Sequence, residues 1–396
     1  MSDVILTINA GSSSIKFSLF SSDALREIIR GQIDGLGTHP RLVARENGEK
    51  VVDTALEGET APTDHTAGVA VILELLRERH PDYAVVAVGH RIVHGGPDFE
   101  APVAIDDAVL DRLRAYNPLA PLHQPHNLSG VEAARKAFPD AVQVACFDTS
   151  FHRKHPWVND TFALPKHFYD EGVRRYGFHG LSYEYIVARI HELGLAEDSH
   201  RLVVAHLGNG ASMCAIQNGV SVASSMGFTA LDGLPMGTRC GQIDPGVLLY
   251  LMTERGMSPD ELTRLLYNES GLKGLSGISN DMRDLEASSS PDAAAALDYF
   301  VFRVRRELGA LAAVLQGLDA VVLTGGIGEN AAGVRHRILH DEDWLGISID
   351  PERNAASKLR ISTDASPVKV YVIPTNEEFM IARHTARIAA DAPSPA

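Results

Sequence analysis

The sequence is poor in residues that mark several function classes. Only three cysteines occur in 396 residues, Cys146, Cys214 and Cys240. Their odd number and non-metal spacing argue against a disulfide framework or a zinc module and point to a reducing compartment. Basic residues are in deficit, 36 Lys+Arg against 51 Asp+Glu, and the formal net charge of −15 is spread along the chain. Such a surface repels phosphate polymers and anionic membranes, so no nucleic-acid or membrane partner is expected. The opening residues Met1 to Leu6 lack the basic segment of a signal peptide. The most apolar long stretch, Leu308 to Leu323, is interrupted by Gln316 and Asp319 and is too short to span a bilayer. No composition shift marks a linker, and only the tail 390–396 is of low complexity. What remains, 45% hydrophobic and 22% charged, suffices for packed cores and is long enough for two domains. A cytoplasmic globular protein is expected.

Periodicity indicates a plan that occurs twice. Val4–Ile8 is an apolar run, and Ile15, Phe17 and Leu19 then alternate with Lys16 and Ser18, as in a half-buried strand. Arg41–Arg45 and Lys50–Thr54 flank Asn47-Gly48, a hairpin signal because both turn positions need positive φ. Helical periodicity follows at Thr66–Arg79 and Gly130–Phe138, with buried strands at Tyr83–Val88 and Ala141–Phe147. A second unit begins with strand Leu202–Ala205, a small-residue turn and strand Met213–Ile216. It continues through helices at Pro245–Thr253 and Ala293–Leu315 to buried strands at Ala320–Leu323 and Val368–Val372. Both units open strand, Gly-rich turn, strand. We read this as an approximate duplication giving two α/β domains with a cleft between them.

Three Gly-rich turns carry the chemistry. They are Asn9-Ala10-Gly11-Ser12-Ser13-Ser14 with Lys16 beyond, His206-Leu207-Gly208-Asn209-Gly210-Ala211-Ser212, and Thr324-Gly325-Gly326-Ile327-Gly328-Glu329-Asn330. Closely spaced N–H groups without side chains in the way suit a phosphate, and a lysine adds a point charge. Three such turns in one chain indicate a nucleotide. There is no G-x-x-x-x-G-K-[ST] and no G-x-S-x-G, so a P-loop enzyme and an α/β-hydrolase are set aside. Gly326 to Ala331 fits a relaxed dinucleotide fingerprint, with Asp350 at the acidic position. A nicotinamide-dependent oxidoreductase is therefore the rival reading, weakened because too little chain follows for a second mononucleotide half. Arg91 in His90–Gly96 and Arg239 in Met236–Gly241 have glycine neighbours, which favours forked donors to carboxylate or phosphate. Asp148 directly follows a buried strand, where open α/β sheets keep their sites, although a turn or capping role fits equally. His179 is either a helix-entry residue or an active-site donor. His123 and His126 lack a third ligand for zinc.

Taken in order, Thr7–Phe17, His90–Gly96, Phe147–His152, Tyr176–Gly180, His206–Gly210, Met236–Arg239, Ser276–Arg283, Gly325–Asn330 and Asn376-Glu377-Glu378 closely resemble the acetate kinase family, from residue 4 to about 383. The resemblance implies two duplicated ribonuclease-H-like domains of the actin-like and sugar-kinase superfamily. It assigns residues 1–148 plus 379–396 to an N-terminal domain and 149–378 to a nucleotide-binding one, in a homodimer. It further implies reversible transfer of the ATP γ-phosphoryl group to acetate, giving acetyl phosphate and ADP, with magnesium or, in its place, manganese. Propionate is expected as a further acceptor, and a propionate kinase is the nearest alternative.

By this resemblance Asn9 and Glu377 are associated with the metal, and Lys16, Ser12 and Ser14 with the first phosphate loop. His206, Leu207, Gly208, Asn209, Gly210, Asp281, Met282, Arg283, Gly326, Ile327, Gly328, Glu329 and Asn330 bind nucleotide. Arg91 takes the substrate carboxylate, with Val93, Leu122 and Ala230 around its methyl group. Asp148 matches the position called catalytic acid/base, and His179 and Arg239 the transition-state stabilisers, with His123 nearby. An ionised carboxylate needs no base, so Asp148 is expected to hold the metal or its waters. Two stretches depart from the family pattern: Ala230 and Asp232 stand where proline and glutamate are common, and Cys240 and Gln242 where serine and aspartate are common.

Overall fold

Thirteen strands fall into two sheets among the residues described by the computed structural model, which are 2–11, 14–58, 61–121 and 123–391. The first sheet contains β1 (Ser2–Ala10), β2 (Ser14–Ser21), β3 (Glu27–Asp34), β4 (Arg41–Glu46), β5 (Glu49–Ala55), β6 (Tyr83–Ile92), β7 (Val103–Ala104) and β8 (Val142–Phe147), in the order β5-β4-β3-β2-β1-β6-β8-β7. The second contains β9 (Arg201–Leu207), β10 (Ala211–Gln217), β11 (Val220–Ser224), β12 (Ala320–Thr324) and β13 (Lys369–Val372), in the order β11-β10-β9-β12-β13. In each sheet an antiparallel meander leads into two parallel strands: β1 with β6 and β8, and β9 with β12 and β13. The order β3-β2-β1-β6-β8 therefore recurs as β11-β10-β9-β12-β13. The expected duplication is present.

The chain divides into two compact units, Met1–Phe151 with Asn376–Ala396, and His152–Thr375. In the first, β1 is buried on both faces because helices cover both. Leu6 and Ile8 pack with Val69 and Ile72 of helix His65–Arg79 and Ala133 and Ala134 of helix Gln124–Ala137. Ile5 and Ala87 pack on the other side with Ala382 and Phe379 of helix Glu377–Asp391. Gly89 makes that last contact possible: a Cβ there would lie 2.2 Å from Thr385 Oγ1. The close approach holds helix Glu377–Asp391, which begins at Glu377, against β6.

Turn and cap chemistry hold where expected. Asn47 and Gly48 have φ of 50° and 85° between β4 and β5, and Ser290 caps helix Pro291–Val314 through Asp292 N. Three readings change. Helix Gln124–Ala137 begins ahead of Gly130. The strand expected at Tyr83–Val88 runs on to Ile92, so Arg91 lies within β6. The third Gly-rich turn is itself a helix, Gly325–Asn330. Glycine disfavours helix, but side-chain bonds to the backbone override the propensity here. The Glu329 carboxylate accepts from Gly325 N at 2.9 Å and Thr324 Oγ1 at 3.4 Å, while the buried Arg335 guanidinium donates to the Gly328 and Glu329 carbonyls at 3.0 and 2.8 Å. No helix among the described residues is long and apolar enough to cross a membrane.

Candidate active site

In the first unit, parallel pairing of β1, β6 and β8 brings their carboxyl ends to one edge of the sheet. Asn9, Arg91 and Asp148 meet there. Arg91 donates to both Asp148 oxygens, Nε to Oδ1 at 2.9 Å and Nη2 to Oδ2 at 2.6 Å, and through Nη1 to Asn9 Oδ1 at 3.3 Å. Glu377 Oε2 lies 3.8 Å from Arg91 Nε. The Asp148 side chain is only 2% exposed. Burial works against the Arg91 charge, but Asp148 and Glu377 outweigh it and raise its pKa above the ordinary value. Burial, then the Asp148 charge, raises the Glu377 carboxyl pKa against the pull of Arg91; burial and Glu377 raise that of Glu378.

Two carboxylates thus face one half-buried guanidinium, the charge of Glu378 adds to theirs, and Lys16 on β2 is exposed. Among the described residues no group of three or more His, Cys, Asp or Glu side chains is arranged to hold a metal alone. Asn9, Asp148 and Glu377 nevertheless offer hard oxygen donors in a place with surplus negative charge. That fits magnesium, which takes one or two carboxylates together with substrate oxygens and water.

The segment after Arg91 is tied down by residues that sequence alone does not single out. Asn127 accepts from Val93 N at 3.0 Å and donates to Ala10 O at 2.6 Å. Gln124, fully buried, accepts from His94 N at 3.2 Å and donates to His94 O at 3.0 Å. Both belong to helix Gln124–Ala137, whose first residue is preceded by His123 in the capping position. Val93 is buried. Ser14 opens β2, and its carbonyl accepts from Gly11 N at 2.8 Å. Ser12 and Leu122 lie outside the described residues.

In the second unit, a groove of about 600 Å³ is lined by Gly208, Asn209, Asn280, Asp281, Met282, Arg283, Glu286, Gly326, Ile327, Asn330 and Ala331. All three expected nucleotide segments contribute. Asn280, Glu286 and Ala331 join them; each lies within or beside a motif, and its side chain alone carries no signal. His206, Leu207, Gly210, Gly328 and Glu329 do not line the groove. Gly325, at φ 76°, packs where a Cβ would lie 2.7 Å from Leu207 O, and the Glu329 carboxylate also accepts from Thr375 N at 3.2 Å. Asp281 caps helix Met282–Ala287 through Arg283 N and pairs with the Arg283 guanidinium, which lowers its pKa to about 2.

Beside the groove stand His179, His206 and Arg239. The His179 and His206 rings stack with centroids 4.4 Å apart. His179 Nδ1 bonds Ser212 Oγ, and His206 Nδ1 bonds Ser182 Oγ, both at 2.8 Å. Arg239 Nη1 donates to Ala230 O at 2.8 Å. A Cβ on Gly210 would lie 3.4 Å from His179 Nε2 and 3.5 Å from Arg239 Nη2, so this bare backbone separates two cationic or hydrogen-bonding tips. Asp232 pairs with Arg175 at 3.0 Å, and Gln242 accepts from Arg303 and Arg306.

Known proteins are similar to this chain along nearly its whole length. The model of the acetokinase family matches residues 4–383. A protein of Methylocella silvestris described as an acetate kinase is 56% identical over 97% of this chain and 98% of its own. The solved acetate kinase of Porphyromonas gingivalis is 38% identical with a TM-score of 0.87, covering 98% of this chain and 100% of that one. A solved propionate kinase of Francisella tularensis is 36% identical with a TM-score of 0.91, again covering 98% and 100%.

Proposed function

This chain belongs to the acetokinase family of carboxylate-accepting phosphotransferases, and we propose that it transfers the γ-phosphoryl group of ATP reversibly to acetate. The observation that carries the reading is the second-unit groove beside His179 and Arg239. It joins nucleotide-sized space to two groups able to neutralise a transferring phosphoryl.

Phosphoryl transfer asks a protein chiefly for positioning and charge neutralisation. An acetate oxygen attacks the γ-phosphorus, the bond to the bridging oxygen breaks, and ADP leaves. The acceptor's pKa is near the ~4.3 of a glutamate side chain, so it arrives ionised and requires no base. Asp148, with both oxygens engaged by Arg91, acts in holding that guanidinium and the metal's surroundings rather than in taking a proton. Arg91, with three of its N–H groups engaged, offsets the repulsion between anionic acceptor and anionic donor. Asn9, Asp148 and Glu377 would hold magnesium, which when bound supplies charge neutralisation at the phosphates. Arg239 and His179 neutralise the equatorial oxygens, and the Gly208 and Gly326 backbones admit the phosphates without side-chain obstruction.

Ala230, where the family commonly has proline, leaves a smaller and less rigid wall. That supports use of propionate beside acetate. Helix Pro245–Thr253 buries none of its residues and exposes Val247, Leu249, Tyr250 and Met252, which supports association with a second copy. The acidic surface and reduced thiols support a cytoplasmic enzyme.

The test is incubation with ATP, magnesium and a series of short carboxylic acids, trapping acyl phosphate with hydroxylamine. Acetate should give the hydroxamate, with propionate within about tenfold in kcat/KM. No acyl phosphate from any acid, together with protection from thermal unfolding by NAD rather than ATP, would refute the reading.

A further inference from the structure

His179 is held in an unusual way. It occupies the capping position of helix Gly180–Glu192 with φ 58° and ψ 24°, a left-handed conformation that a residue with a Cβ resists. Something must fix the preceding peptide plane. The Phe178 carbonyl, whose peptide nitrogen belongs to His179, accepts from His152 Nε2 at 3.0 Å. The preceding Gly177, at φ 73°, packs so closely that a Cβ would lie 2.6 Å from the His152 ring.

The hydrogens in this cluster can be assigned by chemistry. A carbonyl only accepts, so His152 Nε2 carries the proton. Burial lowers the His152 pKa to about 4, which keeps the ring neutral and leaves Nδ1 as an acceptor. Ser221 Oγ, 2.8 Å from His152 Nδ1, must therefore donate to it. The Ser221 oxygen is then free to accept, and His155 Nε2 lies 2.7 Å away as the donor. His155 is likewise neutral, with a pKa lowered to about 2 by burial and then by His152. The chain runs one way: His155 to Ser221, Ser221 to His152, His152 to the Phe178 carbonyl.

We propose that His152, aligned by Ser221 and His155, is a positioning residue that locks the Phe178–His179 peptide and so aims the His179 ring at the transferring phosphoryl group. Ser212 fixes the other end of the ring through Nδ1, leaving Nε2 directed beside Gly210. The proposal rests on the reading of His179 as a stabiliser of that group.

Substitutions separate the bond from the bulk. In His152→Gln the side-chain amide nitrogen falls where Nε2 was and can still donate to Phe178; in His152→Asn the amide reaches only as far as Nδ1. His152→Asn should lower kcat by about 10²-fold, the usual result of a small misplacement, with KM for ATP within about threefold. His152→Gln should recover most of that loss. In a His179→Ala background the two variants should have equal kcat. The His179 ring resonances should shift in His152→Asn and return in His152→Gln, a readout independent of turnover. If the folded Asn and Gln variants show equal kcat and unmoved His179 resonances, the proposal is overturned. It is equally overturned if His152→Asn costs as much without His179 as with it. If His179→Ala alone keeps kcat, the catalytic reading of His179 fails, while the resonances still decide whether His152 positions it.

Discussion

A single methyl group should separate the roles of binding and catalysis in the second unit. Gly210 sits between His179 and Arg239, and its φ is outside the left-handed region, so alanine is conformationally allowed. The added Cβ would lie 3.4 Å from His179 Nε2, 3.5 Å from Arg239 Nη2 and 3.6 Å from His179 Cε1. These are tight to ordinary contacts. Gly210→Ala should therefore fold normally and gain about 0.4–1 kcal/mol from the reduced freedom of the unfolded chain. The groove does not include Gly210, so KM for ATP should stay within about threefold. The methyl does, however, fill the space in which a phosphoryl oxygen would accept from both tips at hydrogen-bonding distance. Losing one preorganised donor to a developing anion costs about 2.7–4 kcal/mol, or about 10²–10³ in kcat. Steady-state kinetics by hydroxylamine trapping, paired with thermal melts, measures both quantities. A stable Gly210→Ala enzyme with wild-type kcat would show that His179 and Arg239 do not act through the space above this residue.

Further outcomes are expected from the same structure. Arg239→Ala should lower kcat by about 10³ or more with ATP affinity nearly unchanged, since Arg239 stands outside the groove; calorimetric ATP titration beside turnover measures the split, and a near-normal kcat removes Arg239 from the chemistry. Asp148→Asn should raise the magnesium concentration for half-maximal rate by about tenfold or more, without new pH dependence near the acceptor's pKa; rescue by higher pH at unchanged magnesium demand would restore a general-base role. Buried neutral histidines should set part of the acid limb of stability. Burial lowers the pKa of His90 to about 4 against the ordinary value of 6.5, so its contribution is complete above pH 6.5 and is lost as pH falls toward 4. His90→Gln should flatten urea-measured stability in that window by up to about 1.4 kcal/mol per pH unit; an unchanged slope would contradict the burial argument.

The chemistry-bearing segments were legible because their signals are local. A Gly-rich turn, an Asn-Gly hairpin and an aspartate following an apolar run each depend on a few neighbouring residues, and the full-length resemblance added the roles. The repeat also follows from local signals, since both halves open strand, Gly-rich turn, strand; the strand order within each sheet comes only from the tertiary structure. What escaped the sequence depends on residues far apart in it. Gly325–Asn330 reads as a turn because glycine disfavours helix, yet it is a helix, held by Glu329 and by an Arg335 that the more distant Asn354 fixes in place. Glu329 looks like a ligand for nucleotide, yet its carboxylate is taken by Gly325 and Thr375. Gln124 and Asn127 hold the segment after Arg91 through bonds to residues some thirty positions away. His152 reaches Phe178 across 26 residues of chain, a contact that only packing can close. Local rules thus marked candidate residues for the chemistry. Tertiary packing decided which donors they face, because a buried hydrogen bond is satisfied by whichever partner the fold delivers, however distant in the chain.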